Sequence, residues 1–400
     1  MITYKYEARD PATGKKVTGE LVSDSERTVI KNIKDQGYAV ISVKASGTGV
    51  GFSFRKKVKI KDKVIFSRQL STLINAGLPL VQSLRSVAKQ TKSKQFQVVL
   101  AEVIQSVEAG KSFSQALSEH TEVFDPVFIN LVAAGEASGT LDAALERLAD
   151  QQEKDAELIR KVRGAMIYPA IVILVMIGVV GFMIVAVLPQ VKELYEGLPG
   201  NNLPWVTRLL LWVSDTVINY WWAIIAIIGA IFFLTTKWAR TLGGKRYIDH
   251  AKLTFWPFAK LFQKMYMARF TRTATTLVAS GVPLLQVMDI TSKAVNNVHI
   301  EAAIKRAAEK VKGGKSLSES LVGEETFIEL VPQMIKIGED SGQIEGMLGK
   351  TADYYEKEVD DQIKTISTVI EPLLMVILGV VAITIVSAVL LPIYGLVGTL

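Results

Sequence analysis

The chain has 400 residues, 49% of them hydrophobic, and a formal net charge of +7 at pH 7. Its positive mean hydropathy of +0.29 is typical of a membrane protein that also carries sizeable polar parts. The absence of cysteine and the presence of only three widely spaced histidines exclude disulfides, thiolate metal sites and histidine metal motifs.

The first 44 residues predict a small α/β unit. Strands are expected at 3–8, 17–22 and 38–43, with a short helix at 24–35. The unit is too small to be an enzyme, so we expect it to dock a partner. The polar start MITYKYEARD lacks the apolar core of a signal peptide, which predicts a cytoplasmic location for this unit.

Residues 45–63 predict a linker that is first rich in Gly and Ser and then basic. Between Arg55 and Lys63 there are six basic residues and one acidic residue. A solvated or lipid-facing collar is favoured here over a specific partner site. Nucleic-acid binding is not expected, because no basic stripe interleaved with aromatic residues occurs.

Apolar spacing from Ile65 to Arg163 predicts helices throughout. The segment FSRQLSTLINAGLPLVQSLRSVAK begins at Phe66 and predicts a helical hairpin. Its first helix should end at Ala76, because Gly77 can adopt the left-handed cap conformation. Pro79 suits the first turn of the second helix, where its missing N–H has little cost.

The same segment returns 204 residues later, from Phe270, with nine of 24 positions identical. The identities include Phe66, Arg68, Gly77 and Pro79, which recur as Phe270, Arg272, Gly281 and Pro283. After a one-residue deletion, the sequence Gly-Glu-Ala-Ser-Gly at 135–139 recurs as Gly-Glu-Asp-Ser-Gly at 338–342. In that register Tyr168-Pro169 aligns with Glu371-Pro372. A helical domain and the apolar segment behind it are therefore duplicated.

Two Gly-Lys-Ser sequences, at 110–112 and 314–316, superficially resemble a phosphate-binding loop. That motif needs another glycine five residues earlier and a preceding strand, whereas Gln105 and Glu309 stand there within helical stretches. We expect each glycine to end a helix, the lysine to complement the helix dipole, and Ser112 with Gln115 (and Ser316 with Glu319) to form capping boxes. No nucleotide site or other cofactor site is predicted.

The Gly-Glu-x-Ser-Gly repeats are predicted as loops that each open a long helix. As a cap for that helix, the motif needs Ser138, Gly139 and Asp142 but not Glu136. The repetition of the Glu136 carboxylate as Glu339 therefore needs another explanation. Structural bracing is favoured over a metal or partner contact. The candidate structural or partner residues are Phe66, Arg68, Gly77, Pro79, Gly135, Glu136, Gly139, Phe270, Arg272, Gly281, Pro283, Gly338, Glu339, Gly342 and Glu371; no catalytic or metal-binding residue is predicted.

Three uncharged segments are long enough to cross a bilayer. They contain 28 residues after Arg163, 21 after Asp215 and 29 after Glu371. Basic residues flank the start of the first segment and the end of the second, which predicts that both flanks face the cytoplasm and that the C-terminus is external. Two duplicated domains should also share one compartment, which requires an even number of crossings between them.

The expected fold class is therefore a mainly α, polytopic membrane protein with two homologous cytoplasmic helical-bundle domains and a small N-terminal α/β unit. The expected organisation is a docking unit at 1–44, a linker at 45–63, helical domain 1 at 64–164, transmembrane helix 1 at 165–189, an external loop at 190–214, transmembrane helix 2 at 215–236, helical domain 2 at 237–368 and transmembrane helix 3 at 369–397.

These motifs resemble the PilC/GspF family of inner-membrane platform proteins of type IV pilus assembly and type II secretion. The resemblance rests on Phe-x-Arg-Gln-Leu with Ala-Gly-Leu-Pro-Leu, on the Gly-Glu-x-Ser-Gly-x-Leu sequence, on the Tyr-Pro entry to a span and on the duplication itself, and it covers essentially the whole chain. The second copy departs at Thr273, which replaces Gln69, and at Glu371, which replaces Tyr168.

The resemblance implies a bacterial inner-membrane protein without catalytic activity. Its implied partners are a hexameric motor ATPase, prepilin or pseudopilin subunits and other inner-membrane assembly proteins, and a homo-oligomer is implied, with a dimer favoured.

Glu371 is the one charge placed to meet a partner at the bilayer edge, although an interfacial residue turned to water is favoured. A type II secretion or competence pseudopilus platform is the alternative. A transporter or channel subunit is an alternative of another class, which the lack of polar lining in the spans disfavours.

Overall fold

The computed structural model describes residues 2–9, 16–23, 26–35, 37–45, 58–190, 193, 205–239, 241–256 and 258–397. Residue contacts divide the chain into two units, Met1–Lys57 and Val58–Leu400. The Gly/Ser-rich part of the predicted linker and most of the predicted external loop, at 194–204, lie outside the described residues.

The N-terminal unit is a three-stranded antiparallel sheet with one helix. It contains β1 (Ile2–Arg9), β2 (Lys16–Ser23), α1 (Glu26–Asp35) and β3 (Ala39–Ala45). Strand β1 lies in the centre, in the order β2-β1-β3. Val29 and Ile33 of α1 are fully buried together with Ala8 of β1. The alternation of side chains in β1 thus places one of its faces against the helix.

Six helices form the first lobe of the larger unit. They are α2 (Ile60–Asn75), α3 (Leu80–Gln90), α4 (Lys94–Glu108), α5 (Phe113–Ser118), α6 (Pro126–Ser138) and α7 (Leu141–Ala165). The predicted apolar stripes point inward: Phe66, Leu70, Leu84 and Val87 are buried. Helix α7 packs along both α2 and α6, so the lobe closes around these side chains.

Apolar helices follow the first lobe. Helix α8 (Ile167–Phe182) continues from α7 after a break at Met166 and passes into a π-helical segment at Met183–Val187. Helix α9 (Trp205–Ala239) has non-helical backbone angles at Tyr220. It therefore begins ten residues before the predicted second span, because the mostly apolar segment 205–212, which also contains Thr207 and Arg208, extends the helical pattern towards the chain's N-terminus.

The second lobe repeats the first. It contains α10 (Leu242–Thr254), α11 (Ala259–Ala279), α12 (Leu284–Ala294), α13 (Val298–Lys312), α14 (Leu317–Leu321), α15 (Leu330–Ser341) and α16 (Ile344–Val397). Helix α16 is a single 54-residue helix. It packs against α11 and then continues without a break into the apolar segment, so the lobe and the span share one rod.

Within the described residues, three helical stretches are long and apolar enough to cross a membrane: Leu141–Gln190, Leu211–Ala239 and Ile344–Ser387. Their most apolar windows are 6%, 0% and 6% buried, as expected for surfaces that face lipid. Trp212, Trp221 and Trp222 are exposed, and tryptophan is enriched where membrane-spanning segments meet water. The fold is therefore mainly helical, with two repeated domains and three membrane-length helices.

The two lobes share one continuous hydrophobic core. A single cluster of buried side chains runs from Phe66 in the first lobe to Ile366 in the second. Helices α7 and α16 lie side by side, and ion pairs join Lys154 to Glu356 at 3.4 Å and Lys161 to Asp360 at 2.7 Å. Residue numbers rise together along both helices, so the two helices are parallel.

Candidate functional site

The repeated hairpins end their first helices in the same way. Gly77 and Gly281 have φ values of +82° and +75°, which side chains other than glycine rarely adopt. The amide of Leu78 donates to the carbonyl of Leu73 at 3.1 Å, and Val282 donates equivalently to Leu277, which satisfies carbonyls at the helix end. Pro79 and Pro283 occupy the N-cap positions of α3 and α12, one residue before the predicted first turn.

Phe66 and Phe270 occupy equivalent places in the two cores. The Phe66 ring lies 5.3 Å from Phe96, 5.9 Å from Phe124 and 6.3 Å from Phe128, measured between centroids. Phe270 meets Phe327, the repeat counterpart of Phe124, edge-on at 5.2 Å. Aromatic pairs in this distance range add to the gain from burial. Both residues therefore hold their lobes together from within.

Arg68 and Arg272 each join the first helix of their repeat to the last helix of their lobe. The Arg68 guanidinium donates to Asp150 at 2.5 Å and to both oxygens of Glu153, at 2.7 Å and 2.6 Å. Its hydrogen bonds hold the pKa of the Glu153 carboxyl below its ordinary value. In the second lobe Arg272 pairs with Asp353 and, at 2.8 Å, with Glu356. The duplication has preserved a planar donor and two carboxylates.

The Gly-Glu-x-Ser-Gly sequences do not form the predicted loops. Residues 135–138 complete the last turn of α6, and Gly139 follows it with φ +72°. The Ser138 hydroxyl donates back to the carbonyl of Ala134 at 2.7 Å, and the N-cap of α7 is Thr140. The prediction of Ser138 as a cap for the next helix was therefore wrong, because the hydroxyl bonds within its own helix.

Glu136 instead caps a different helix. Its two carboxylate oxygens accept hydrogen bonds from the amides of Phe113, at 2.5 Å, and Ser114, at 2.9 Å. These are free donors at the start of α5, where the helix dipole also favours negative charge. Ser112 and Gln115 complete this helix start with the predicted capping box. Glu136 thus links the last turn of α6 to the Gly-Lys-Ser turn.

Glu339 makes the same bonds in the second lobe. It accepts from the amides of Leu317 at 2.6 Å and Ser318 at 3.2 Å, and from the Ser318 hydroxyl at 2.5 Å. Ser316 accepts from the Glu319 amide at 3.2 Å. With their oxygens engaged by N–H and O–H donors, both carboxylates are placed as braces. Among the described residues, no group of three or more His, Asp or Glu side chains could hold a metal ion.

The first glycine of each motif permits close helix packing. A Cβ atom on Gly135 would lie 2.6 Å from the Cβ of Ala144, and one on Gly338 would lie 2.9 Å from the Cα of Ile344. The final glycines, Gly139 and Gly342, have φ values of +72° and +70°. The motif therefore combines a packing contact, a brace and a left-handed helix end.

Glu371 lies apart from these braces, on α16 near the start of its apolar segment. It lines a shallow surface cavity together with Tyr168, its counterpart in the repeat, and Pro169. Its side chain is exposed. The Tyr-Pro and Glu-Pro entries to the two spans are thus brought to one place.

The lobe interface was not predicted. Gln151, which is only 4% exposed, donates to Thr273 at 3.0 Å and accepts from Thr276 at 3.2 Å. Thr273 replaces Gln69 of the first copy, and this contact explains why a short side chain stands there instead of glutamine. The departure itself was the only signal that the two copies face different neighbours.

We expect Glu136→Gln to destabilise the first lobe by about 1–2 kcal/mol, because charge-assisted bonds to two partly buried amides become neutral ones. The measurement is thermal unfolding of the full chain in detergent, with hydrogen exchange at the start of α5. Asp142→Asn is the control, because this exposed carboxylate lies in the first turn of α7, where it complements the helix dipole. Unchanged exchange at Phe113 and Ser114 would contradict the bracing role.

Comparison with known proteins covers the whole chain. The family model described as type II secretion system (T2SS), protein F, matches residues 66–189 and again 270–392, and the model of that protein's N-terminal domain matches 1–44. The chain is 37% identical to a type IV pilus assembly protein PilC from Thermus thermophilus, covering 100% of this chain and 99% of the relative. It is 36% identical to PilC of Myxococcus xanthus, with 97% and 94% coverage, and 31% identical to type II secretion system protein F of Vibrio cholerae, with 98% coverage of both.

The two ranges matched by the protein F model coincide with the duplicated unit of a lobe and its apolar helix. The relatives that match over their full length come from type IV pilus assembly and from type II secretion. The chain belongs to the type II secretion system protein F family, which includes the PilC proteins of type IV pilus assembly.

Proposed function

We propose that this chain is the inner-membrane platform of a type IV filament machine and couples a cytoplasmic hexameric motor ATPase to the extraction and assembly of pilin subunits. The observation that carries the proposal is the rigid connection between lobe and span. Helix α16 runs from Ile344 to Val397 without interruption, so a displacement of the second lobe moves the apolar segment with it.

The arrangement of charges supports an orientation with the lobes on the cytoplasmic side. Lys161 and Arg163 precede the first span, and Lys237 ends the second, in accord with the excess of basic residues in cytoplasmic flanks. The parallel course of α7 and α16 sends the first and third spans into the bilayer in the same direction. The N-terminal α/β unit then lies in the cytoplasm as a docking module, and the C-terminus is external.

The exposed apolar faces of the spans support contact with hydrophobic filament subunits. Ala226 and Ala230 are exposed on α9, and small residues permit close approach of another helix within a membrane. No enzymatic activity is proposed, because the repeated polar residues bond to one another and to helix ends. A type II secretion or competence pseudopilus platform is the alternative, and genes adjacent to this one distinguish these systems.

Seven residues inserted after Thr368 test the proposed coupling. Seven alanines keep the helix phase within about 20° and lengthen the rod by about 10 Å, whereas seven Gly/Ser residues add the same number of residues but interrupt it. We expect filament assembly to be lost with the Gly/Ser insert and retained in part with the alanine insert.

Both variants must retain equal ATPase co-purification and a cytoplasmic signal from a reporter fused near residue 300. Equal assembly in the two variants would refute transmission through α16. Flux of small solutes through reconstituted vesicles would instead favour a channel or transporter subunit.

A further inference from the structure

Besides the contact between the equivalent helices α7 and α16, the two lobes touch through different surfaces of the two repeats. The first lobe contributes Asn130 of α6 with Arg147 and Gln151 of α7. The second lobe contributes residues of α11 and α12: the carbonyl of Ala279 accepts from Arg147, and Gln286 donates to Asn130 at 2.8 Å. In this part of the interface, the last helices of the first repeat therefore meet the first helices of the second repeat.

Each lobe also carries the repeat counterparts of the residues that the other lobe contributes to this interface. The first lobe carries the repeat counterparts of the α11 and α12 residues, and we call these the α2 face: Gln69, Thr72, Asn75 and Gln82. The second lobe carries the counterparts of the α6 and α7 residues, and we call these the α16 face: Gln333, Lys350 and Tyr354. Among the described elements, no packed pair joins α16 to α2, although a twofold relation between the lobes would require one.

The exposure of these residues differs sharply from that of their counterparts. Thr273 and Thr276 are 1% and 8% exposed within the lobe interface, whereas Thr72 on the α2 face is exposed. On the α16 face, Tyr354 is 46% exposed, although its counterpart Gln151 is buried. Tyrosine is a side chain enriched at protein interfaces.

We propose that the α16 face of one copy of this chain packs on the α2 face of a second copy, in the geometry that already joins the lobes within one copy. The chemistry of the two faces matches that template. Lys350 replaces Arg147 and donates to the carbonyl of Asn75, at the end of α2, where the helix dipole favours a cation. Gln333 and Gln82 replace the amide pair of Asn130 and Gln286.

One ion pair of the template is replaced in the second contact. Ile65 is 44% exposed at the position where the second lobe has Arg269, which faces Asp155 at 3.6 Å. The repeat counterpart of Asp155 is Glu358, which already pairs with Lys264 at 2.6 Å, so a contact between copies does not need a cation at position 65. The two lobes thus differ as expected if the counterparts on α6, α7, α11 and α12 serve the contact within a chain and the α2 and α16 faces serve a contact between chains.

Membrane geometry permits the repetition. The first span follows α7, the third continues α16, and α7 and α16 are parallel, so repeating the lobe contact keeps the next copy in the same bilayer. A heterologous contact of this kind leaves one face open at each end, which allows rings or longer chains to form. The inference goes beyond the proposed function, since it requires neither a motor nor a filament subunit.

Disulfide crosslinking in membranes tests the contact, because the chain has no cysteine. Thr72→Cys in one tagged copy and Tyr354→Cys in another correspond to Thr276 and Gln151, whose side chains are hydrogen-bonded. We expect a mixed-tag dimer on oxidation of co-expressed full-length chains, and loss of most of that product when the Tyr354→Cys copy also carries Lys350→Glu.

Two controls make the result decisive. A chain carrying both Gln151→Cys and Thr276→Cys should form an internal disulfide, detected as a loss of thiol labelling that a reductant restores, which shows that folding and oxidation are intact. Val98→Cys, on an exposed position of α4, replaces Thr72→Cys as the mismatched partner. A mixed dimer no more abundant than with Val98→Cys would overturn the proposal, as would dimers formed by Thr72→Cys or Tyr354→Cys alone.

Discussion

Replacing Phe66 with alanine should destabilise the first lobe by about 3–5 kcal/mol, the usual cost of removing a buried aromatic ring. Phe66 is 1% exposed and touches three other phenylalanine rings. The cavity would lie between α2, α4 and α6, where helix packing limits collapse. Hydrogen exchange of the full chain in detergent should show lost protection throughout the first lobe.

The adjacent residue provides the control. Ile65 is 44% exposed, so Ile65→Ala should change the free energy of unfolding by well under 1 kcal/mol. Phe270→Ala should produce the same effect as Phe66→Ala, but centred on the second lobe. If the Phe66→Ala and Ile65→Ala variants showed equal protection of first-lobe amides from hydrogen exchange, Phe66 would not be the centre of the first core.

Replacing Gly338 with alanine should destabilise the second lobe by about 1–3 kcal/mol through overpacking. The new Cβ would lie 2.9 Å from the Cα of Ile344 and 3.2 Å from the Cβ of Met347. The first of these neighbours is backbone, so α15 and α16 must move apart. The expected result is a lower midpoint of thermal unfolding for the full chain, with increased exchange at the start of α16.

Gly346→Ala serves as a control of opposite sign. This glycine lies near the start of the same helix, and a Cβ added to it meets nothing within 4 Å. Alanine should therefore stabilise the helix by about 0.5–1 kcal/mol. Destabilisation by Gly346→Ala of the same size as that by Gly338→Ala would mean that helix packing at Gly338 is not the cause.

The two motif copies show why similar sequences need not do equivalent work. Arg68 and Arg272 make matching ion pairs within their lobes, and Glu136 and Glu339 brace matching helix starts. The copies diverge at Gln69 and Thr273. Gln69 bonds to Gln90 at 3.1 Å within its own lobe, whereas Thr273 meets the other lobe. Divergence is thus located where the neighbours differ.

Local patterns were sufficient for much of this architecture. Apolar periodicity, the glycines after helix ends and the duplicated segments predicted the helical class, the repeats and three apolar helices, because these features depend on residues close together in the chain. The boundaries of the motifs were less well predicted. Ser138 was placed as a cap, since periodicity alone does not show which of two helices a hydroxyl will bond.

Packing between distant residues decided the rest. The Glu136 carboxylate acquires its role only when α6 brings it to amides 22 and 23 residues earlier in the chain. The lobe interface depends on a contact between Gln151 and Thr273, separated by 122 residues. Glu136 and Gln151 are polar side chains that a sequence pattern assigns to solvent. Their roles follow from shape and hydrogen bonding between helices that only the folded chain brings together.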